Sequence, residues 1–238
     1  MRGLIGHTGF VGSNLLHQAE FDRCYNSSNI ESIAGEEFDL LVCAGVSSVK
    51  WKANQSPQED FDQIQRLIDC LSTTTFKNLV LVSTIAVYHQ PADNAYGRHR
   101  LYLETYLQNT YSDVSVMRLP SLFGRGLKKN VIYDLMNEDH RFIPSPWSYF
   151  QYYCLDNIWK DIEKQLGLGI KVLNVNSEHI PFGKVLEMFG VSPDKFWGNK
   201  VIKENMLSEH AAHWGKTGEY LYSYEEVLAD LQRFINHE

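Results

Sequence analysis

Apolar positions along the chain follow two periods, and the changes between them set the order of elements. Leu4 and Ile5 form a short apolar run that ends at Gly6, and Phe10, Val11, Leu15 and Leu16 then recur at helical spacing. A strand, a glycine turn and a helix therefore open the pattern. Residues 21–25 predict a second strand, which ends in the polar run Asn26-Ser-Ser-Asn29. Residues 30–38 barely leave room for a helix, so one crossover is expected to be reduced. Residues 38–45 predict a buried strand ending in the small residues Cys43, Ala44 and Gly45. A loop carrying Trp51 and Asn54 follows. After Pro57, the positions Phe61, Ile64, Leu67, Ile68 and Leu71 mark an amphipathic helix. Residues 77–83 form an apolar run suited to the middle of a parallel sheet. A polar loop over 89–94 then leads to a helix over 97–107 and a strand over 113–119.

The second half is less regular. A helix is expected over 127–136, a loop at Pro144-Ser-Pro146, and an aromatic-dense segment over 147–154. A helix over 155–166, a strand over 171–176 and a short helix over 181–189 follow. Ser223 and Glu226 form a capping-box pattern ahead of Val227, Leu228, Leu231 and Ile235, which predict an amphipathic surface helix. Strands alternating with helices place the chain in the α/β class.

The amino-terminal glycines add candidate chemistry. A strand, Gly6, Gly9 and Gly12, then a helix, is the arrangement of a dinucleotide-binding βαβ unit. Gly6 permits a tight turn, Gly9 a close backbone approach to a pyrophosphate, and Gly12 helix–strand packing. His7, Thr8, Phe10 and Val11 complete that loop, and the helix amino terminus offers N–H groups and a positive dipole end to phosphates. The end of the second strand then faces the adenosine ribose, where an acid would accept from the 2′-hydroxyl. Tyr25 to Asn29 carry no acid, Asn26, Ser27 and Ser28 are polar, and Arg23 and His7 are nearby cations. NADP is favoured over NAD on this ground. Cys43, Ala44 and Gly45 would let ribose and phosphate lie close to the third strand.

Gly-x-x-Gly-x-x-Gly resembles the loop of the extended short-chain dehydrogenase/reductases, the NAD(P)-dependent epimerase/dehydratase-like family. The resemblance extends to Ser83-Thr84-Ile-Ala-Val-Tyr88, to Tyr96-Gly-Arg-His-Arg100, and to Arg118-Leu-Pro-Ser-Leu-Phe-Gly124. It implies a Rossmann-type doubly wound parallel sheet over 1–126 and a small C-terminal substrate lobe over 127–238, with elements of the lobe returning to the core sheet. It also implies that Tyr96 exchanges a proton with a substrate hydroxyl or carbonyl while Thr84 polarises that oxygen. Ser83 takes this place if the register slips by one. The family's lysine is replaced by Arg100, which keeps the charge one helical turn from Tyr96 and can bond a ribose, but with a bulkier planar fork. Pro120 would pass near the nicotinamide, and Asn130 would contact substrate. Gln151 sits among aromatic residues that suit either packing or a polyhydroxylated ligand.

The implied function is an oxidoreductase, epimerase or dehydratase on a nucleotide-sugar or related hydroxylated substrate. A simple carbonyl reductase, and an NAD(P)-binding sensor with little or no turnover, stay open. The helices over 58–71 and 98–111 resemble the family's homodimer face.

Composition narrows the classes. At 238 residues, 44% hydrophobic and 21% charged, the chain suits a globular domain with a substantial core. A net charge of −7 and the absence of a basic run argue against a nucleic-acid partner. No apolar run nears the roughly 20 residues that span a bilayer, and no segment resembles a signal peptide, so the expected location is cytoplasmic. Cys24, Cys43, Cys70 and Cys154 are widely spaced and read as reduced thiols. His210 and His213 read as a solvated or capping pair, with no metal site expected.

Overall fold

The computed structural model describes residues 1–89 and 94–237. The expected loop over 89–94 therefore lies mostly outside the described residues. The chain divides into two compact units, Met1–Arg118 with Asp156–Leu173, and Leu119–Leu155 with Asn174–Glu238.

The first unit is built on a six-stranded sheet. Its strands in the first half of the chain are β1 (Arg2–Ile5), β2 (Arg23–Tyr25), β4 (Leu40–Cys43), β6 (Leu79–Thr84) and β7 (Val114–Leu119), and a two-stranded ribbon of β3 (Glu37–Phe38) and β5 (Thr75–Phe76) lies apart from them. β1 pairs in parallel with both β2 and β4, and β4 in parallel with β6. The central strands β4 and β6 are apolar runs because both faces are covered: Leu41, Val42 and Cys43, and Leu79, Val80 and Leu81, are all buried. Helices α1 (Phe10–Gln18), α2 (Lys50–Gln55), α3 (Pro57–Ser72), α4 (Ala95–Thr110) and, later, α6 (Ile158–Gly167) belong to this unit.

Residues 50–55 are helical rather than the expected loop. Six residues with one buried position, Ala53, are too few to show an apolar period. The reduced crossover after β2 is a single 3-10 turn, Ile30–Ile33.

The other edge of the sheet is closed by β11 (Val172–Asn174), giving the spatial order β11-β7-β6-β4-β1-β2. From β1 the chain moves outward to β2, then returns past β1 to β4. The winding reverses there. Ligands in open α/β sheets bind outside the carboxyl ends of the strands at such a reversal.

The second unit contains β8 (Ser121–Phe123) paired with β10 (Tyr152–Cys154), and β9 (Tyr149–Phe150) paired with β12 (Ile180–Pro181). Its helices are α5 (Val131–Met136), α7 (Phe182–Met188) and α8 (Tyr224–His237). α5 is shorter than the expected helix over 127–136 because Asn130, at φ 112°, turns the chain just before it. The capping box before α8 is formed: Ser223 N donates to Glu226 Oε2 at 2.7 Å and Glu226 N to Ser223 Oγ at 3.3 Å. No helix among the described residues is long and apolar enough to cross a membrane.

Candidate functional site

At the winding reversal, Gly6 and Gly12 are required by main-chain contact and Gly45 by a side-chain contact. Gly6 has φ 89°, and a Cβ there would lie 2.4 Å from the Ala44 carbonyl oxygen. A Cβ on Gly12 would lie 2.1 Å from the Gly6 oxygen, and one on Gly45 would meet Ile5 Cγ2 at 2.7 Å. Side chains at these positions would push β1, β4 and α1 apart. Gly9 is different, because its Cβ would meet only the Gly6 oxygen, at 3.2 Å. The loop is therefore open on the Gly9 side. Gly9 caps α1 with no side-chain hydrogen bond, and the first turn of α1 holds no acid. Main-chain N–H groups and the positive helix end are left for an anion.

The β2 end is organised by its asparagines. Asn29 Oδ1 accepts from Asn26 N at 2.7 Å, and Asn26 Oδ1 accepts from Ser28 N at 2.8 Å and from Ser28 Oγ at 2.6 Å. Ser28's hydroxyl is thus engaged, while Ser27 is exposed. The Tyr25 carbonyl receives Gly6 N at 2.7 Å and His7 Nδ1 at 2.9 Å, so Nδ1 carries a proton and the His7 ring is tied to β2. Arg23 stands at the opening of β2, within 3.9 Å of Glu36, at the end of the strand away from the loop. The cation beside this loop is instead Arg66 of α3, whose Nη2 donates to the Ser27 carbonyl at 3.3 Å.

Cys43 is wholly buried in the core, and burial pushes its thiol up to about 11. Its small side chain packs in the core. Only its main chain lies at the strand end, beside Ala44 and Gly45. Iodoacetamide at pH 8 is expected to label Cys43 only after denaturant opens the core, as read by mass spectrometry.

A second cluster gathers at the carboxyl end of β6. Thr84 Oγ1 accepts from Ala86 N at 3.2 Å, which caps a 3-10 turn and leaves the hydroxyl proton free to donate. Ser83 Oγ donates to Glu104 Oε1. Glu104, 1% exposed, is gripped by Arg118 through Nε at 3.0 Å and Nη2 at 2.6 Å. Ser83 thus serves a buried ion pair, and Thr84 holds the available hydroxyl.

Tyr96 opens α4, whose amino terminus is fixed by two asparagines. Asn94 Oδ1 accepts from Gly97 N at 3.0 Å and Asn54 Oδ1 from Tyr96 N at 3.0 Å. Arg100 lies over the face of the Tyr96 ring, its Cζ 4.0 Å from the centroid. Arg100 is 4% exposed and donates to Asp60 Oδ2 and to the Ser47 carbonyl, each at 2.5 Å. His99 Nδ1 lies 2.8 Å from the same Asp60 oxygen. The guanidinium is therefore a compensated cation stacked on the ring, not a free charge beside the phenol. Sequence reasoning missed Asp60, although the signal was present: it falls four residues before Ile64, on the apolar face of α3.

In the second unit two expected substrate contacts are structural. Asn130 Oδ1 accepts from Ile132 N at 3.0 Å and Tyr133 N at 3.2 Å, and its Nδ2 donates to the Leu122 carbonyl at 2.7 Å. Gln151 is 0% exposed; its Nε2 donates to Ser177 O and Met206 O, and its Oε1 accepts from Met206 N. Its amide has nothing left for a ligand. Both amides thus serve main-chain groups of their own unit, with Gln151 enclosed and Asn130 half-buried. Pro120 is buried in the bend between β7 and β8. No group of residues able to hold a metal ion occurs among the described residues.

No protein-family model and no curated protein sequence matches the chain. Solved structures do. A DesIV dTDP-glucose 4,6-dehydratase double mutant from Streptomyces venezuelae, with NAD and DAU bound, superposes at a TM-score of 0.74 and 14% identity, covering 100% of this chain and 97% of that one. The fold is that of the extended short-chain dehydrogenase/reductases. UDP-N-acetylglucosamine 4-epimerase from Bacillus cereus gives a TM-score of 0.68 at 13% identity, over 99% of this chain and 98% of that one. RMD from Pseudomonas aeruginosa complexed with NADPH gives 0.65 at 16% identity, over 98% and 99%. Identities this low carry the fold and leave the chemistry to the residues.

Proposed function

We propose that this protein binds an NAD(P) dinucleotide, with NADP favoured, and acts as an oxidoreductase, epimerase or dehydratase on a nucleotide-sugar or related hydroxylated substrate. The observation that carries the dinucleotide is the cradle at the winding reversal, where a Cβ on Gly6 or Gly12 would strike main-chain atoms and Gly9 stays open. Phe10 and Val11 would hold the pyrophosphate through main-chain N–H groups, with Gly9, whose own N–H donates to the Gly6 carbonyl at 2.9 Å, allowing the close approach beside the exposed side chain of Thr8. Asn26 and Ser27 would border the adenosine ribose, and Ala44 and Gly45 would admit the sugar-phosphate at the end of β4. When bound, the nicotinamide supplies hydride exchange. Tyr96 would pass a proton to or from the substrate oxygen and Thr84 would donate to that oxygen. Structures of similar fold include a dehydratase with NAD bound and one complexed with NADPH, which supports this class. We also read α3 and α4 as the self-association face.

A second reading has its own support: Asp60 holds Arg100, so the cation expected to assist a phenolate is already paired. On that reading the protein binds NAD(P) and regulates rather than turns over. NADPH fluorescence titration combined with a panel of nucleotide-sugars and simple carbonyl compounds separates the two. For the enzyme, Tyr96→Phe is expected to lower kcat by at least about a hundredfold, the usual worth of a positioned acid–base group, with the cofactor Kd unchanged. Binding without turnover across the panel supports the regulatory reading. No binding of NADPH or NADH sinks both.

A further inference from the structure

The cation beside the loop after β2 comes from α3, which the sequence pattern marked as an amphipathic helix and a candidate dimer face. Arg66 projects from the polar side of α3, 50% exposed, and reaches the loop after β2. Its Nε donates to Glu31 Oε1 at 2.9 Å, its Nη2 also donates to that oxygen, and Nη2 reaches the Ser27 carbonyl. Glu31, 63% exposed, belongs to the 3-10 turn that replaces the reduced crossover. Hydrogen bonding to Arg66 holds its carboxyl below the usual carboxylate range. The two cations nearer in sequence are poorly placed: Arg23 is at the far end of β2 beside Glu36, and the His7 ring is tied to the Tyr25 carbonyl.

We propose that Arg66 is the specificity-determining residue for the 2′-phosphate of NADP, and that Glu31 competes with that phosphate for its guanidinium. The proposal rests on the dinucleotide reading above. A guanidinium fork accepts a carboxylate or a phosphate in the same geometry, so a phosphate arriving at Ser27 would exchange with Glu31. Glu31 is also an acid at the ribose end of the site, supplied by the turn after the loop. With the guanidinium drawn to a phosphate, its carboxylate would repel that group, and with no phosphate present it pairs with Arg66.

The test is binding alone, without substrate. NADPH and NADH are titrated by fluorescence into the wild-type protein, Arg66→Gln and Glu31→Gln, with thermal melting as a check on folding. Both side chains are half exposed or more, so the variants should fold. Arg66→Gln is expected to weaken NADPH about tenfold, the worth of one charged hydrogen bond, and NADH by less than about twofold. Glu31→Gln is expected to tighten NADPH severalfold. An unchanged NADPH-to-NADH ratio in Arg66→Gln overturns the assignment while leaving the dinucleotide reading intact. Weaker NADPH binding in Glu31→Gln overturns the competition. Failure of the wild type to bind either dinucleotide overturns the parent reading and this one with it.

Discussion

Gly12→Ala is expected to abolish measurable dinucleotide binding and to destabilise the first unit by about 2–4 kcal/mol. In an ordinary helix this substitution would stabilise by about 1 kcal/mol, because alanine loses less backbone freedom. Here the new methyl would sit 2.1 Å from the Gly6 oxygen and 2.7 Å from its carbonyl carbon. Those are main-chain atoms, fixed on the other side by the approach of Gly6 to Ala44. No side chain can rotate away, so α1 must move off β1, and the N–H groups of its first turn move with it. Thermal melting and NADPH titration check both halves. Gly9→Ala is the control: at 3.2 Å from the Gly6 oxygen it should lower the melting temperature far less than Gly12→Ala while weakening the dinucleotide. Equal stability of Gly12→Ala and wild type would rule out the contact as described.

Asp60→Ala should cost about 3–5 kcal/mol, the usual penalty for leaving a buried charge without its partner. Asp60 is 6% exposed and Arg100 is 4% exposed, and the Arg100 Nε is already buried without a hydrogen-bond partner. Losing the carboxylate would leave the guanidinium with the Ser47 carbonyl, the Tyr96 carbonyl at 3.5 Å and the Tyr96 ring, and no anion. Asp60→Leu combined with Arg100→Met should recover most of the loss, since removing both charges removes the desolvation penalty as well. Urea denaturation with shared m-values measures the difference. The pair also bears on chemistry. Turnover in the double variant would mean that Arg100 only positions the Tyr96 ring, whereas loss of turnover with the fold and cofactor binding retained would mean that its charge acts on the phenol.

Much of the sheet was legible in the sequence because parallel strands buried on both faces must be apolar runs. Residues 77–83 and 113–119 could hardly be anything else. The long helices showed equally well, since α3 carries its apolar positions at a strict period. Short elements did not show. α2 has one buried residue and the ribbon strands have two residues each, too few to set a period.

The candidate site divides in the same way. The glycine spacing and the order of Thr84, Tyr96 and Arg100 are properties of the chain itself, written in neighbouring residues and dependent on local turn and helix geometry. Partners distant in sequence were not written there. Asp60 meets Arg100 from 40 residues away, Arg66 meets Glu31 from 35, and Gln151 meets Met206 from 55. Whether an amide is free for a ligand, or a cation free for a phenolate, depends on which donors and acceptors the packed chain brings within about 3 Å. The sequence by itself determined a strand–glycine–helix cradle and the hydroxyl groups near it. Only the tertiary structure decided that Arg100 is already paired, that Asn130 and Gln151 bond main-chain groups, and that Arg66 reaches the loop after β2, because satisfying buried polar groups is a property of the folded whole.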